Sequence, residues 1–292
     1  MNRCFAFFLA LVCATLSVSS ACSAAPSGWI HFTLEPERGG EKVHATFRDD
    51  SRDRGGSNWS SGFLPSQLIG FDIASFRAAG AQPVRFAVVR EAGRMDCAGQ
   101  SGNSHAFGNC SFTPDAGFMQ LLASRGIARP TRDHAFALMA LNVRRELINA
   151  VAAARYPTPT VDQLLALTAV GVTGGYVSAL ARIGYRPASI DRLVEFRALD
   201  ISPEFIGRFA RAGYGNLPAG ELVQLKALDI TPEFATSFAS VGYSRLPVDT
   251  LVQFKALGVT PGFIQSLQRA GYARPTPDQA VRMRALGLPR TR

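Results

Sequence analysis

Apolar residues in the C-terminal half of the chain recur with a period of 29 positions. Leu193, Phe196 and Leu199 stand at spacing three, and the same segment returns at 222–228 and 251–257. Spacings of three and four place side chains on one face of a helix. A repeat of this length is typical of stacked helical units. The pattern therefore predicts a solenoid in which Leu193, Phe196 and Leu199 form the apolar face of a helix.

Start and stop signals divide each unit into two short helices. The second helix begins at Ser202-Pro203-Glu204 and at matching triplets in the next units, because a hydroxyl caps a free N–H and Pro suits the first helical position. Residues that tolerate a left-handed backbone follow the first helix in six units: Asn142, Gly171, Asp200, Asp229, Gly258 and Gly287. Glycine ends the second helix similarly, except at Arg155. We expect the turn at Arg155 to be strained or differently built.

Helices of about ten residues are unstable alone in water, so the units must stack on one another. The sequence thus predicts an α+β protein in which a small antiparallel β domain, residues 26–112, is fused to an α-solenoid of 29-residue helical-hairpin repeats, residues 113–292. The solenoid is expected to hold a connecting helix, 113–125, five full repeats and one partial repeat. A compact helical bundle with chance similarity between segments is the alternative.

Alternating apolar and polar residues in the N-terminal half predict about six strands. The expected strands lie at 29–34, 43–47, 58–63, 84–88, 94–99 and 107–112. Residues 64–68 are predicted to form a short connecting turn. A helix from Thr113-Pro114-Asp115 through Leu122 is expected to cover part of the sheet and to join it rigidly to the solenoid.

Residues 1–25 have the features of a secretory signal peptide: a basic start, a short apolar core and Ser23-Ala24-Ala25 at the end. About fifteen apolar residues are too few to span a bilayer comfortably. We expect an exported protein, periplasmic or extracellular, with no transmembrane span in the mature chain. Lipid attachment at Cys22 is the less favoured alternative, because Ser19 stands where a lipobox normally carries Leu.

Two cysteines remain outside the predicted leader, Cys97 and Cys110, on the two strands of a predicted hairpin. An even pair in an oxidising compartment favours a disulfide. Pairing these two residues also places Gly99 opposite Gly108, a consistent register. Two buried free thiols are the alternative.

The formal net charge of +9 is concentrated on the repeats, where residues 126–292 hold 20 basic and 12 acidic side chains. Basic residues occupy one equivalent position in four successive units, and we call them the basic ladder: Arg197, Lys226, Lys255 and Arg284. Stacking would align them as a stripe able to meet an acidic protein surface, an anionic glycan or an anionic lipid. A solubilising outer face is the simpler interpretation. The leader argues against nucleic acid as partner.

No arrangement of residues predicts catalysis, a metal site or a cofactor. The sequence has no His-Glu-x-x-His helix, Cys-x-x-Cys pair, phosphate-binding Walker loop or Gly-x-Ser-x-Gly elbow. Its four histidines, His31, His44, His105 and His134, are scattered. Ser104 and His105 are adjacent in a polar hairpin loop, where strand geometry would point them to opposite sides.

The repeated phrase Leu-x-x-[Leu/Phe]-[Lys/Arg]-Ala-Leu-[Gly/Asp]-[Ile/Val]-Thr-Pro-[Glu/Gly]-Phe resembles a repeat of uncharacterised exported bacterial proteins and of C-terminal extensions of antirepressor-type membrane metallopeptidases. Residues 84–93 look similar to the sheet module that precedes those repeats. The resemblance implies a sensing or binding role at the cell envelope and carries over no catalytic residue.

Three functions remain open from the sequence. The first is a non-enzymatic, exported binding module that docks a protein partner through the solenoid. The second is a binder of envelope glycan or anionic lipid that uses the basic ladder. The third is a hydrolase with an unrecognised site in the β domain.

Overall fold

The computed structural model describes residues 30–37, 39, 41–49 and 57–288. The predicted signal peptide and Cys22 lie outside these described residues. Within them, a six-stranded antiparallel sheet precedes twelve α-helices. The predicted α+β organisation is therefore confirmed.

The sheet contains six strands of seven to ten residues. Buried and exposed side chains mostly alternate along them, but Phe86, Ala87 and Val88 of the fourth strand are all buried. The strands are β1 (Ile30–Pro36), β2 (Val43–Asp49), β3 (Ser57–Phe63), β4 (Gln82–Arg90), β5 (Gly93–Gly102) and β6 (His105–Pro114). Their order in the sheet is β3-β2-β1-β6-β5-β4, and every neighbouring pair is antiparallel. Two hairpin-linked groups of three strands thus join through β1 and β6.

The register of β5 and β6 is the one that the sequence predicts. Cys97 lies opposite Cys110, and the two sulfurs stand at disulfide-bonding distance. Gly99 lies opposite Gly108, and the strands approach so closely there that a Cβ on Gly99 would come within 2.0 Å of the Phe107 carbonyl oxygen. Neither glycine can therefore be replaced without moving a strand.

The connection from β3 to β4 is more than the predicted short turn. β3 and β4 form opposite edges of the sheet, so residues 64–81 must pass from one edge to the other. This segment contains two 3-10 helices, Pro65–Gln67 and Ile73–Arg77. It contributes three apolar side chains to the core: Leu68, Phe71 and Phe76. The prediction missed this covering segment because its apolar residues have neither helical nor strand periodicity.

The helical part begins with α1 (Ala116–Ser124) and continues as units of a first and a second helix. The first helices are α2 (Arg132–Ala140), α4 (Val161–Ala169), α6 (Ile190–Ala198), α8 (Ala219–Ala227), α10 (Val248–Leu257) and α12 (Pro277–Ala285). The second helices are α3 (Arg145–Ala153), α5 (Gly174–Arg182), α7 (Pro203–Arg211), α9 (Pro232–Ser237, extended by a 3-10 helix, Phe238–Val241) and α11 (Pro261–Arg269). Unit 1 is α2 with α3, and unit 6 consists of α12.

The predicted stop signals are confirmed in all six first helices. A residue with positive φ follows each: Asn142, Gly171, Asp200, Asp229, Gly258 and Gly287. The next residue then donates its N–H five residues back into the helix, as Val143 does to the Leu138 carbonyl at 2.9 Å. This bond is the Schellman closure, and it satisfies carbonyls that the helix end leaves free.

The turn at Arg155 has the same construction as the glycine turns. Arg155 has a φ of 58°, and the following Tyr156 N–H donates to the Val151 carbonyl at 3.2 Å. Of the two expectations for this position, strain is the one that agrees with the geometry, because a β-carbon in the left-handed region costs about 1–2 kcal/mol.

Tyrosine hydroxyls tie three successive units to the units that follow them. Tyr185 donates to the Leu217 carbonyl and Tyr214 to the Leu246 carbonyl, each at 3.0 Å and across 32 positions of sequence. The Tyr243 hydroxyl makes the equivalent bond to the loop of the following unit. Burial raises the pKa of Tyr185 and of Tyr214, so both remain hydrogen-bond donors at neutral pH.

Arg90, at the end of β4, anchors the sheet to unit 1. Its guanidinium donates to the Met139 carbonyl at 3.0 Å and also to the Ala140 carbonyl, at the C-terminus of α2. The same group lies 4.8 Å from the centroid of the Trp59 ring. Burial lowers the pKa of Arg90, and the two carbonyls, which form the negative end of the helix dipole, stabilise its buried charge.

Glu91 supplies the cap that α3 lacks in its own sequence. The position equivalent to Ser202 holds Arg144, which makes no side-chain cap bond. The Glu91 carboxylate instead accepts the Arg145 N–H at 2.7 Å. A hairpin of the sheet thus presents a positive residue to the end of α2 and a negative one to the start of α3, which matches both helix dipoles.

The joining helix starts later than predicted. Thr113 and Pro114 belong to β6, and α1 starts at Ala116 because the Asp115 carboxylate accepts the Phe118 N–H at 2.6 Å. Both α1 and α2 reach the core of the sheet: Phe118 is fully buried, and the Phe136 ring of α2 lies against that of Trp59.

Replacing Arg155 with glycine should stabilise the protein by about 1 kcal/mol, because glycine adopts positive φ without the cost of a β-carbon. Urea unfolding of both forms measures the difference. The matched variant Arg155→Ala keeps a β-carbon and should show no gain. Equal gains for the two variants would instead attribute the effect to loss of the arginine side chain.

Candidate interaction surface of the repeats

The four residues of the basic ladder occupy equivalent places in the stack. Each lies in the last turn of a first helix: Arg197 in α6, Lys226 in α8, Lys255 in α10 and Arg284 in α12. Each side chain reaches back to the preceding unit. There it meets an aromatic ring of the second helix and a polar atom at the end of the first helix.

Arg197 and Lys255 show the contact most fully. The Arg197 guanidinium carbon lies 5.6 Å from the Tyr176 ring centroid, and its Nε donates to the Gly171 carbonyl at 3.1 Å. The Lys255 Nζ lies 5.5 Å from the Phe234 ring centroid and donates to the carbonyl 26 positions earlier at 2.9 Å. Each cation therefore contacts both helices of the preceding unit.

Arg284 and Lys226 repeat the arrangement with small changes. Arg284 lies 5.2 Å from the Phe263 ring centroid, and its Nε donates to the Leu257 carbonyl at 3.0 Å. Lys226 lies 5.3 Å from the Phe205 ring centroid, with its Nζ 3.7 Å from a carboxylate oxygen of Asp200. We call this combination of ring and polar partner the inter-unit cation contact.

The inter-unit cation contact is favourable for two reasons. The face of an aromatic ring attracts a cation, which contributes about 0.5–1 kcal/mol at exposed sites. The last carbonyls of a helix carry a partial negative charge, which also attracts a cation. The ladder therefore strengthens the junctions between units. A role of the ladder in binding a partner remains a prediction. The charged groups that would bind the partner already have contacts within the protein.

Tyr176 is fixed in place beneath Arg197. Its hydroxyl donates to the Ile201 carbonyl at 2.6 Å. Burial raises the pKa of Tyr176 to about 12, and this effect outweighs the opposing influence of the Arg197 charge. The neutral ring is therefore held as a platform for the guanidinium over the whole physiological pH range.

The sequence carries a signal for these contacts that the prediction of the ladder left out. In the last four units the basic residue follows, at a constant distance of 21 positions, an aromatic residue at the start of the previous second helix: Tyr176, Phe205, Phe234 and Phe263. The two earlier units have no basic residue at this position, with Met139 after Phe118 and Thr168 after Leu147.

A row of aliphatic side chains lies at the ends of the first helices, two positions after the ladder residues in sequence. We call it the corner row, and it consists of the residues just before the left-handed position of each first helix: Leu141, Val170, Leu199, Leu228, Leu257 and Leu286. Four of them are exposed, namely Leu141 at 39%, Leu228 at 37%, Leu257 at 39% and Leu286 at 71%. The row repeats with the period of the stack.

The prediction that Leu199 and its equivalents belong to the buried stripe is wrong for Leu228 and Leu257. These residues lie at the end of the helix, where the chain turns away from the core. Their places in the core are taken by Ile230 and Val259, which follow the left-handed residue and are almost fully buried. The Schellman closure thus turns one apolar residue inward and leaves another outside.

The hairpin with Ser104 and His105 lacks the geometry of a nucleophile and its base. The His105 Nδ1 lies 2.9 Å from the Asn103 carbonyl oxygen, and its Nε2 lies 3.6 Å from the Glu35 carboxylate. Both ring nitrogens of His105 thus have partners other than the Ser104 hydroxyl. Ser104 itself has a φ of 66°, as expected in a tight strand connection.

Neither a metal cluster nor a single membrane-spanning helix occurs in the part of the chain that the structure describes. No group of three or more His, Cys, Asp or Glu side chains among those residues could hold a metal ion. No single helix there has the length and hydropathy of a membrane span. Taken together, α4 and α5 have that length and hydropathy, but an 85° bend separates them.

Comparison with known proteins identifies no relative of this chain. No protein-family model matches the chain, and neither a curated protein sequence nor a solved structure matches it. The functional argument therefore depends on the residues and contacts of this chain.

The inter-unit cation contact should appear as a coupling between Lys255 and Phe234. We expect Lys255→Met, Phe234→Leu and the double variant to give a coupling energy of about 0.5–1 kcal/mol in urea unfolding. The variant Lys255→Arg keeps the cation and should remain near the wild-type stability. A coupling energy of zero would mean that the ring and the cation are neighbours without attraction.

Proposed function

We propose that the protein is a non-enzymatic binding module of the cell envelope that docks a protein partner through the corner row of its helical repeats. The observation that carries the proposal is the exposure of Leu228, Leu257 and Leu286 on one periodic face. Contiguous exposed apolar surface in a folded protein marks interaction sites, whereas single exposed apolar residues are ordinary.

The surroundings of the corner row fit a protein partner. Exposed alanines precede the last three leucines of the row, namely Ala227, Ala256 and Ala285, so a partner can approach these leucines closely. The ladder cations and the Asp200 and Asp229 carboxylates border it. An apolar centre with a polar, charged rim is the usual composition of a protein interface. A stack also offers an extended surface along its length.

The placement at the cell envelope is supported by three features of the chain. They are the signal-like residues 1–25, the Cys97–Cys110 pair at disulfide-bonding distance, and the resemblance of the repeats to those of exported bacterial proteins. Disulfides persist in oxidising compartments, which is why the pair favours export.

A binder of anionic glycan or lipid would use charge in place of the corner row. The excess of basic residues on the repeats favours that second function, but the ladder heads are already engaged with the preceding units. Contacts between exposed ions are screened within about 8 Å at physiological ionic strength, whereas apolar docking is not. Salt dependence therefore separates the two functions.

The docking proposal can be tested in intact cells that carry the full-length protein with a photo-crosslinking residue in place of Ala256. The double variant Leu228→Ser/Leu257→Ser should reduce the yield of the crosslinked partner about tenfold, which corresponds to a loss of ~1.4 kcal/mol of binding. Capture by the wild type should persist when the salt concentration is raised.

The matched control is Arg211→Ser/Gln265→Ser, which changes two exposed residues of second helices and should leave the yield unchanged. Circular dichroism of each variant checks that the helices remain. An unchanged yield from the corner-row variant would contradict the proposal, and loss of capture at high salt in the wild type would favour the glycan or lipid binder.

A further inference from the structure

The junction between units 1 and 2 lacks the inter-unit cation contact although the backbone repeats there. Between α3 and α4 the ring position is occupied by Leu147, and the ladder position by Thr168. The Thr168 hydroxyl donates to the Leu164 carbonyl of its own helix at 2.9 Å. No side chain of α4 therefore spans this junction in the way that Arg197 spans the next one.

A cavity of about 310 Å³ occupies the place that a basic side chain fills in the later units. It lies between the turn from α2 to α3 and the turn from α4 to α5. Its lining includes Leu141, Asn142, Leu147, Thr168 and Gly171. The volume lies within the range of small-ligand pockets, roughly 300–1,000 Å³.

The polar atoms that receive the cation in the later units have equivalents at this cavity. Leu141 is equivalent to Leu257, whose carbonyl accepts from Arg284, and Asn142 is equivalent to Gly171, whose carbonyl accepts from Arg197. Among the described residues, no side chain donates to the carbonyls of Leu141 or Asn142. Arg90 donates to the carbonyls of Met139 and Ala140 at the negative end of α2. The next two carbonyls, those of Leu141 and Asn142, thus remain available to a cation in the cavity.

Glu146 adds an acidic group to the lining. Its side chain lies directly on Gly174, so close that a Cβ there would come within 2.8 Å of the carboxylate oxygen. The later units have proline at this position: Pro203, Pro232 and Pro261. Proline would collide with the carboxylate, so the departure from the repeat pattern at Gly174 gives Glu146 its place.

We propose that this cavity binds an arginine or lysine side chain of the protein partner. The occupant is identified by the chain itself, which places Arg197, Lys226, Lys255 and Arg284 into the four equivalent sites. Arg144 also lies on the rim, so the formal charges of Arg144 and Glu146 balance. The helix-terminal carbonyls then give the cavity its preference for a cation. This inference rests on the proposed function, because the partner supplies the side chain.

The cavity can be probed without knowledge of the partner. The probe is the peptide acetyl-Gly-Arg-Gly-amide, and its control is the same peptide with neutral citrulline, which has nearly the same shape. In NMR titrations of the full chain, the arginine peptide should produce saturable shifts at the amides of Asn142, Val143, Gly171 and Thr173. The citrulline peptide should bind at least tenfold more weakly. Equal binding of the two peptides, or no shifts at these amides, would overturn the proposal.

A variant that fills the cavity from within provides a second test. Leu147→Phe/Thr168→Arg recreates the ring and the cation of the later junctions, and should abolish peptide binding while raising Tm. The control Gln253→Arg adds the same charge at an exposed position of α10 and should leave peptide binding intact. Should the double variant fail to fold, Glu146→Gln removes only a charge and should weaken binding of the arginine peptide severalfold.

The two proposals fail separately. If the corner-row variant loses the crosslinked partner while the arginine peptide never binds, the docking function stands and the cavity proposal falls. If the peptide binds but partner capture does not depend on the corner row, the cavity remains a binding site and the proposed function falls. If the peptide binds and partner capture survives Leu147→Phe/Thr168→Arg, the partner does not use the cavity, which also overturns the inference.

Discussion

The left-handed residue at the end of each helix is the constraint on which the repeat stack depends. Helices of nine residues gain too little from their own hydrogen bonds to persist alone. The Schellman closure reverses the chain sharply and satisfies the last carbonyls. It also places an apolar residue, such as Ile201 or Ile230, in the core between units. The repeated turns let each short helix pack against its neighbours in sequence, and the core continues from one unit to the next.

The same turn produces the surface to which we assign the function. Because the chain leaves the helix axis at the left-handed residue, the preceding aliphatic side chain remains outside, as at Leu228 and Leu257. The helix end also leaves carbonyls that attract a cation, and the next unit supplies it from Lys255 or Arg284. The exposure of the corner row and the attraction of the ladder cations are therefore both consequences of one backbone geometry. The junction at Thr168 keeps the backbone but omits the cation, and a cavity results.

The sequence predicts well those features that depend on local backbone chemistry. The helix ends at Asn142 and Asp229, the order of strands along the chain and the pairing of Cys97 with Cys110 follow from residue types and alternation. Features that depend on tertiary neighbours were missed. The cap that Glu91 gives to α3 comes from residues far away in sequence. The segment 64–81 has no period of its own and is ordered by the sheet that it covers. The exposure of Leu257 is decided by two competing apolar residues at one turn.

Hydrogen exchange of a variant with a damaged unit tests the stack most directly. Leu225 is fully buried in α8, and Leu225→Ala should cost about 2–5 kcal/mol. In a stack held by neighbour contacts, protection should fall in α7 to α10, while the amides of β1, β5 and β6 remain as protected as in the wild type. A uniform loss of protection through the helices and the sheet would contradict this account, because it would show one cooperative core in place of units stabilised by adjacency.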